Sequence, residues 1–214
     1  MKHLKTFETF ETFDYNKKLL NLISSGDETN IDTAFEIVSG FDEKEKKLFE
    51  KEVKDKYGIL LEIFTTDSLI NALKKLYKAD SISIFYDKSM PFLSTLKSKF
   101  TEIPESIGEL KNLRELTIRG DLEKLPESIT KLNLESFGLS KTKNISNIDI
   151  IGKMDLKILS LLSLGLNEVP ISVFNNTNLT HLLLNNNNIK NIPNEIGKLT
   201  KLKELSLIGC PIET

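Results

Sequence analysis

Residues 178–193 read NLTHLLLNNNNIKNIP, a run in which three consecutive leucines meet four consecutive asparagines. A surface helix would space its apolar residues three or four positions apart, and a half-buried strand would alternate them with polar ones. The run fits neither pattern. It belongs to a fold that needs an apolar block and a polar block side by side, and the neighbouring sequence indicates which fold that is.

The run is one copy of a pattern that recurs every 23 residues in the second half of the chain. From Leu179 the sequence follows LxxLxLxxNxLxxLPxxIxxL, and copies in the same phase begin at Leu156 and Leu202. Looser copies begin at Leu113 and Leu134, and a half-copy lies in FTEIPESIGELKNL. A fixed period of this length indicates a stack of similar structural units.

These residues resemble the leucine-rich repeat in its 23-residue form, whose outer side reads LPxxIxxLxxL. Repeats of this form occur in intracellular proteins of the Ras-suppressor-like and plant Ras-group types and in bacterial cytoplasmic proteins. The resemblance covers roughly residues 80–214. It implies an α/β solenoid, a leucine-rich-repeat horseshoe in which every copy contributes one strand. It specifies the function hardly at all, because unrelated functions share one scaffold.

The residue types suit a coil of this kind. The leucines of LxxLxL point into a core that each copy shares only with its neighbours. Where the chain turns away from the strand, backbone groups lose their ladder partners, and an asparagine side chain can both donate to and accept from them. We expect Asn187 to do this inside the coil. We expect Asn185, Asn186 and Asn188 to face solvent.

The chain divides by pattern into three parts. A stacked array needs the leucines at its end covered, which favours a helical cap before the repeats. A separate small recognition domain is the alternative for the same segment. The predicted parts are a mobile N-terminal tail or short docking peptide at 1–14, an α-helical N-terminal cap domain at 15–78, and about five to six repeats at 79–214, irregular at 85–103 and 134–155.

Local signals place several elements within these parts. Apolar residues recur at helical spacing before residue 78, with Gly40 as a stop and Asp42 as an N-cap. The stretch SISIFYD predicts a first strand with Ile82 and Ile84 pointing inward. The stretch MPFLSTLKSKF predicts a helix inserted before the outer segment at Ile103.

An enzyme would need groups that this sequence scarcely offers. It has two histidines, His3 and His181, and one cysteine, Cys210. It has no phosphate-loop, dinucleotide-binding, HExxH or CxxC motif. The repeat register puts Cys210 inside the coil and His181 on an outward strand position, so the two should not act together. We expect no enzymatic activity, no cofactor and no metal ion.

Composition bounds the partners and the compartment. The chain has 29 basic and 31 acidic residues, which argues against nucleic acid and against anionic membranes as partners. No apolar run has the length of a signal peptide core or a membrane span. One cysteine excludes an intrachain disulfide and suits a reducing compartment. These features predict a cytoplasmic protein.

The repeat phase predicts a surface as well as a fold. Strand residues between the inward leucines form the concave face, along which solenoids commonly bind. These positions are mostly polar in the early copies, but the last three copies place apolar residues there. Clustered exposed apolar residues mark interfaces more often than scattered ones do. The predicted partner-binding residues are Ile158, Leu162, Leu183, Ile208, His181, Arg119, Phe85 and Tyr86.

The sequence therefore predicts a cytoplasmic, non-enzymatic module that binds a protein or peptide on its concave face. The alternative that the patch has no function stays open, because single exposed leucines are common on protein surfaces. A self-assembling structural repeat protein also stays open. The copy that begins at Leu202 stops at CPIET, and homo-oligomerisation through an uncapped C-terminal repeat would cover it. A fragment of a bacterial effector-type enzyme is the third alternative.

Overall fold

In the part of the chain that the structure describes, three α-helices with given bounds precede a sheet of six strands, and 3₁₀ helices connect the later strands. A computed structural model describes residues 15–25, 27–61, 76, 79, 81–85, 102–120, 122–142 and 145–213. The helices are α1 (15–23), α2 (Glu28–Ser39) and α3 (Glu43–Leu61). The strands are β1 (Ser81–Phe85), β2 (Glu115–Arg119), β3 (Ser136–Ser140), β4 (Ile158–Leu162), β5 (His181–Leu183) and β6 (Glu204–Ser206). The predicted tail at 1–14 and the predicted helix at 90–100 lie outside the described residues.

The N-terminal helices form where helical spacing and caps predict them. Asp42 caps α3, since its Oδ1 accepts from the amides of Lys44 and Glu45 at 2.8 Å. Glu45 Oε2 accepts from the Asp42 amide in return, which completes a capping box. Gly40 follows α2, and its amide donates to the Ile37 carbonyl. The buried apolar residues are Leu19, Leu20 and Ile23 on α1, Ile31, Ala34, Phe35 and Val38 on α2, and Phe49, Val53 and Tyr57 on α3.

The six strands form one parallel sheet in which they follow each other in chain order. Alternate residues of each strand point inward, and their register is continuous from strand to strand. One inward column contains Ile82, Leu116, Phe137, Leu159 and Leu182, each at most 3% exposed, and ends at Leu205, which is 37% exposed. The predicted α/β solenoid with a helical N-terminal region is confirmed.

A bend with positive φ follows the strand in five successive coils. Lys141, Ser163 and Asn186 have φ values of 55°, 55° and 59° there, and Gly120 and Gly209 take the same place in their coils. The amides of four of them donate to carbonyls of the next coil at 2.8 to 3.1 Å, namely those of Gly120, Lys141, Ser163 and Asn186. A side chain at positive φ costs roughly 1–2 kcal/mol. The coil therefore requires this bend even where the residue is not glycine.

Asn187 has the interior role that the repeat pattern predicts for it. It is 3% exposed. Its Oδ1 accepts from the amides of Leu164 and Leu166, at 3.0 and 3.2 Å. Its Nδ2 donates to the carbonyls of Leu161 and Leu184, at 2.8 and 2.7 Å. One side chain thus satisfies four backbone groups and joins the coil of β4 to the coil of β5.

The outer side of the solenoid carries the 3₁₀ helices. Their ranges are Glu105–Glu109, Glu127–Lys131, Ile148–Lys153, Ile171–Asn175 and Asn194–Lys198. A proline stands at the N-cap of four of them, where its fixed φ starts the segment. Gly108 lies directly against Ser128 of the next coil, and an added Cβ would approach the Ser128 Cβ to 2.5 Å. Gly152 lies against Ser172 in the same way.

Helix α3 packs on the first 3₁₀ helix and joins the helical part to the solenoid. The buried Tyr57 donates its hydroxyl to Glu109 Oε2 at 2.7 Å, and Lys56 forms an ion pair with the same carboxylate at 2.9 Å. Ser106 Oγ donates to the Lys56 carbonyl at 2.8 Å. The joint is therefore polar as well as apolar.

Candidate interaction surface

The outward side chains of the strands, here called the concave face, form three columns. Strand register fixes the columns, because each outward residue has a Cα partner on the neighbouring strand. The first column runs Glu115, Ser136, Ile158, His181, Glu204, the second runs Thr117, Gly138, Ser160, Leu183, Ser206, and the third runs Arg119, Ser140, Leu162. The copies therefore stack in register across this face.

An apolar cluster interrupts the polar columns at β4 and β5. On β4, Ile158 lies two residues before Ser160 and Leu162 lies two residues after it. Leu183 on β5 is the register partner of Ser160. Leu183 therefore lies one strand away from β4, a distance of about 4.8 Å, and is level with the midpoint between Ile158 and Leu162. Ile158 is 37% exposed, and Leu162 and Leu183 are half-buried. These three residues, with Ile208, are called the concave patch below.

Ile208 lies at the far side of the concave patch, in the turn after β6. It is 73% exposed. Asn185 lies beside it, and its Oδ1 accepts from the Ile208 amide at 3.0 Å and from Ser206 Oγ at 2.6 Å. Asn185 is on the outward side, as expected, but it is half-buried rather than fully open to solvent. Its position beside the next coil gives its side chain two donors, and this arrangement holds the backbone of Ile208 in place.

His181 and Glu204 flank the concave patch in the first column. His181 Nδ1 lies 2.9 Å from Thr180 Oγ1, and Thr180 Oγ1 donates to the Lys157 carbonyl at 3.0 Å. His181 Nε2 lies 3.9 Å from Glu204 Oε2, and both side chains are partly open to solvent. Polar and apolar groups therefore meet at this edge of the patch.

The other predicted partner-binding residues lie toward the first strands. Arg119 ends β2 and is half-buried. The backbone of Phe85 pairs with that of Arg119. Tyr86 lies outside the described residues. Ser136, Gly138 and Ser140 separate Arg119 from the concave patch, so β3 presents only small side chains between them.

The predicted separation of Cys210 from His181 agrees with the coil geometry. Cys210 Sγ donates to the Leu184 carbonyl at 3.2 Å, as Asn187 Nδ2 donates to the Leu161 carbonyl one coil earlier. The thiol thus replaces an asparagine inside the coil, and its side chain is half-buried. Among the described residues, no cluster of three or more His, Cys, Asp or Glu side chains could hold a metal ion. None of the helices in the described ranges is long and apolar enough to span a bilayer.

A cavity of about 550 Å³ lies where the helices meet the outer side of the solenoid. Four of its five charged side chains bind each other or nearby backbone. Lys56 pairs with Glu109, and Lys111 Nζ donates to the carbonyls of Gly108 and Lys131, at 2.7 and 3.2 Å. This cavity belongs to the structural joint between the two parts of the chain.

Sequence reasoning missed two asparagines whose side chains bond the backbone of neighbouring coils. Asn176 is 1% exposed, and its side chain bonds the Leu156 amide and the Ile151 carbonyl. Asn147 bonds both the amide and the carbonyl of Leu125, at 2.9 Å each. The repeat pattern marks neither position as polar. An asparagine beside a 3₁₀ helix is the signal that could have identified them.

Comparisons with known proteins find the same repeat. A family model described as Leucine Rich repeats (2 copies) matches residues 177–214. The volume-regulated anion channel subunit LRRC8A of Homo sapiens is 41% identical over 104 residues, which are 46% of this chain and 13% of the channel subunit. The chain thus corresponds to only about an eighth of the length of that relative.

Two solved structures are also similar. A leucine-rich-repeat protein of Leptospira interrogans is 34% identical, with 52% of this chain and 29% of that chain covered and a TM-score of 0.47. The second is the ectodomain of the plant membrane receptor kinase GASSHO1/SCHENGEN3 from Arabidopsis thaliana, in complex with CASPARIAN STRIP INTEGRITY FACTOR 2. It is 23% identical, with 51% of this chain and 14% of that chain covered and a TM-score of 0.36.

Proposed function

Because the second half of this chain folds as leucine-rich repeats, we propose that it is a non-enzymatic module that binds a protein or peptide partner on its concave face. The concave patch is the observation that carries the proposal. Ile158 and Ile208 expose apolar surface at positions where β2 and β3 carry polar or small side chains.

The patch is suited to docking because its side chains are only partly buried. Each can lose further apolar area to a partner, and such burial contributes about 25 cal/mol per Å². A few central apolar residues usually carry most of the affinity of an interface. Glu204 lies at its edge and Glu115 lies two strands away on the same face, and charges at such places mainly affect the association rate and the choice of partner.

The setting of the module forms part of the proposal. We place it in the cytoplasm, which a single cysteine, Cys210, favours over an oxidising compartment. With 29 basic and 31 acidic residues, neither nucleic acid nor an anionic membrane is the proposed partner.

The test is capture from a lysate of the source cells, quantified by mass spectrometry. We expect Ile158→Asp with Ile208→Asp to lose a protein that the unchanged chain retains, by about 100-fold in affinity, since each charge faces an apolar partner surface. Both side chains are exposed enough for the variant to fold, and circular dichroism verifies this.

Ile171→Asp is the matched control. Ile171 is 55% exposed and begins a 3₁₀ helix on the outer side, away from the concave face. The Ile171→Asp variant should retain the partner. Equal capture by the concave variant and the unchanged chain would remove the concave patch from consideration.

Self-association through the face of β6 is the second candidate. Leu205 is 37% exposed although its register partner Leu182 is fully buried, and Ile212 is 39% exposed. A second copy that packed on this face would cover these side chains. Light scattering behind a sizing column decides, because a monomer at tens of micromolar contradicts self-assembly.

A further inference from the structure

The hydrogen-bond network around His181 favours one of its ring nitrogens as the carrier of the proton in the neutral imidazole. Thr180 Oγ1 has one hydrogen, and it donates that hydrogen to the Lys157 carbonyl at 3.0 Å. When the hydroxyl makes that bond, the 2.9 Å contact between Thr180 Oγ1 and His181 Nδ1 takes its hydrogen from the ring. In the neutral imidazole, Nδ1 is then the donor and Nε2 is an acceptor.

Two acceptors consequently face each other across a gap in the first column. His181 Nε2 lies 3.9 Å from Glu204 Oε2, too far for a direct hydrogen bond. A nitrogen about 2.9 Å from both atoms would see them separated by roughly 85°. An ammonium group can bring two of its three N–H bonds close to these directions.

The surroundings favour a cation from a partner at this gap. Glu204 is a carboxylate with an exposed side chain, and it lies beside an apolar patch. Lys203 is the nearest cation in sequence, and within the described part of the chain it forms no ion pair with Glu204. Ile158 is the register partner of His181, so apolar surface begins one strand away.

We propose that the partner segment carries a lysine next to an apolar side chain. Its ammonium donates to His181 Nε2 and to Glu204, while the apolar side chain packs on Ile158 and Leu183. This inference rests on the concave patch being a binding surface and adds the chemical class of the partner. Charge complementarity at one edge also fixes the direction in which the segment lies.

The probe is a random dodecapeptide library displayed on phage and panned on the intact chain at pH 7.5. We expect the selected peptides to contain lysine next to Leu, Ile, Val or Phe. Each selected peptide is then synthesised with its lysine free or acetylated. We expect acetylation to weaken binding to the unchanged chain by about tenfold, measured by fluorescence anisotropy.

The variant Glu204→Gln tests the assignment of the acceptor. Acetylation of the peptide lysine should change the affinity of the peptide for this variant less than twofold, because the carboxylate that held the ammonium is gone. Glu115→Gln is the matched control, since Glu115 is a carboxylate in the same column at the other end of the face. The Glu115→Gln variant should still bind the free peptide about tenfold more tightly than the acetylated peptide.

Selected peptides without lysine, or an equal acetylation effect in Glu204→Gln, would overturn the inference. Binding that is still lost in Ile158→Asp/Ile208→Asp would then leave the proposed function standing. Peptides that bind this double variant as well as the unchanged chain would overturn both.

Discussion

Asn187→Ala removes the side chain that satisfies four backbone groups between the coils of β4 and β5. The Oδ1 bonds to the amides of Leu164 and Leu166 and the Nδ2 bonds to two carbonyls are all lost, with lengths of 2.7 to 3.2 Å. A buried polar group without a partner costs about 1–3 kcal/mol. One water molecule can enter the vacated space and serve two or three of the groups.

The expected loss in the free energy of unfolding is therefore about 3–4 kcal/mol, larger than most single substitutions cause. Urea unfolding followed by circular dichroism measures it. Hydrogen exchange adds a local measurement, because the amides of Leu164 and Leu166 should lose protection before the rest of the coil does.

Asn188→Ala is the matched control from the same run of asparagines. Its side chain is exposed and makes one long bond, 3.4 Å to the Gly165 carbonyl. We expect a change below about 0.5 kcal/mol. A loss below about 1 kcal/mol in Asn187→Ala, with unchanged exchange at Leu164 and Leu166, would refute the assigned role of Asn187.

Two further predictions concern the outer side. Gly108→Ala should cost about 2–3 kcal/mol by thermal unfolding because its Cβ would meet Ser128, whereas Gly197→Ala, with open space at its Cβ, should change little; equal effects would contradict this. Burial raises the pKa of Glu105, but hydrogen bonds from Ser128 and Glu127 and the charge of Lys124 outweigh it, so the pKa lies below 4.5. The ionised carboxylate therefore stabilises the fold above pH 4.5 and loses this effect as the pH falls. The stability difference between the unchanged chain and Glu105→Gln should shrink below that pH, and a difference constant down to pH 3 would argue against it.

The period of 23 was enough to predict the inward columns and the interior role of Asn187. Both follow from strand alternation and from one repeated need for hydrogen bonds at the turn. The positive-φ bend was not predicted, because Lys141 and Ser163 occupy it instead of glycine. Coil closure determines φ there, and it overrides the local preference of the residue.

The candidate surface was predictable in position but not in detail. Alternation puts Ile158, Leu162 and Leu183 on one face. How far each is exposed depends on its neighbours across the sheet, which no single copy of the repeat contains. The pairing of Gly108 with Ser128 was missed for the same reason, since the two residues meet only after two coils stack. All eight residues, Phe85 and Tyr86 included, stay predictions as partner-binding residues.

Because the strands pair in chain order, the entropic cost of closing each coil depends only weakly on the number of residues in it. Register partners are 21 residues apart from Leu116 to Phe137, 23 apart from Leu182 to Leu205, and 34 apart from Ile82 to Leu116. Closing 34 residues instead of 23 costs only about 0.3 kcal/mol more. Insertions can therefore accumulate between strands with little effect on folding, whereas the loss of one interior side chain such as Asn187, which bonds two coils together, is costly.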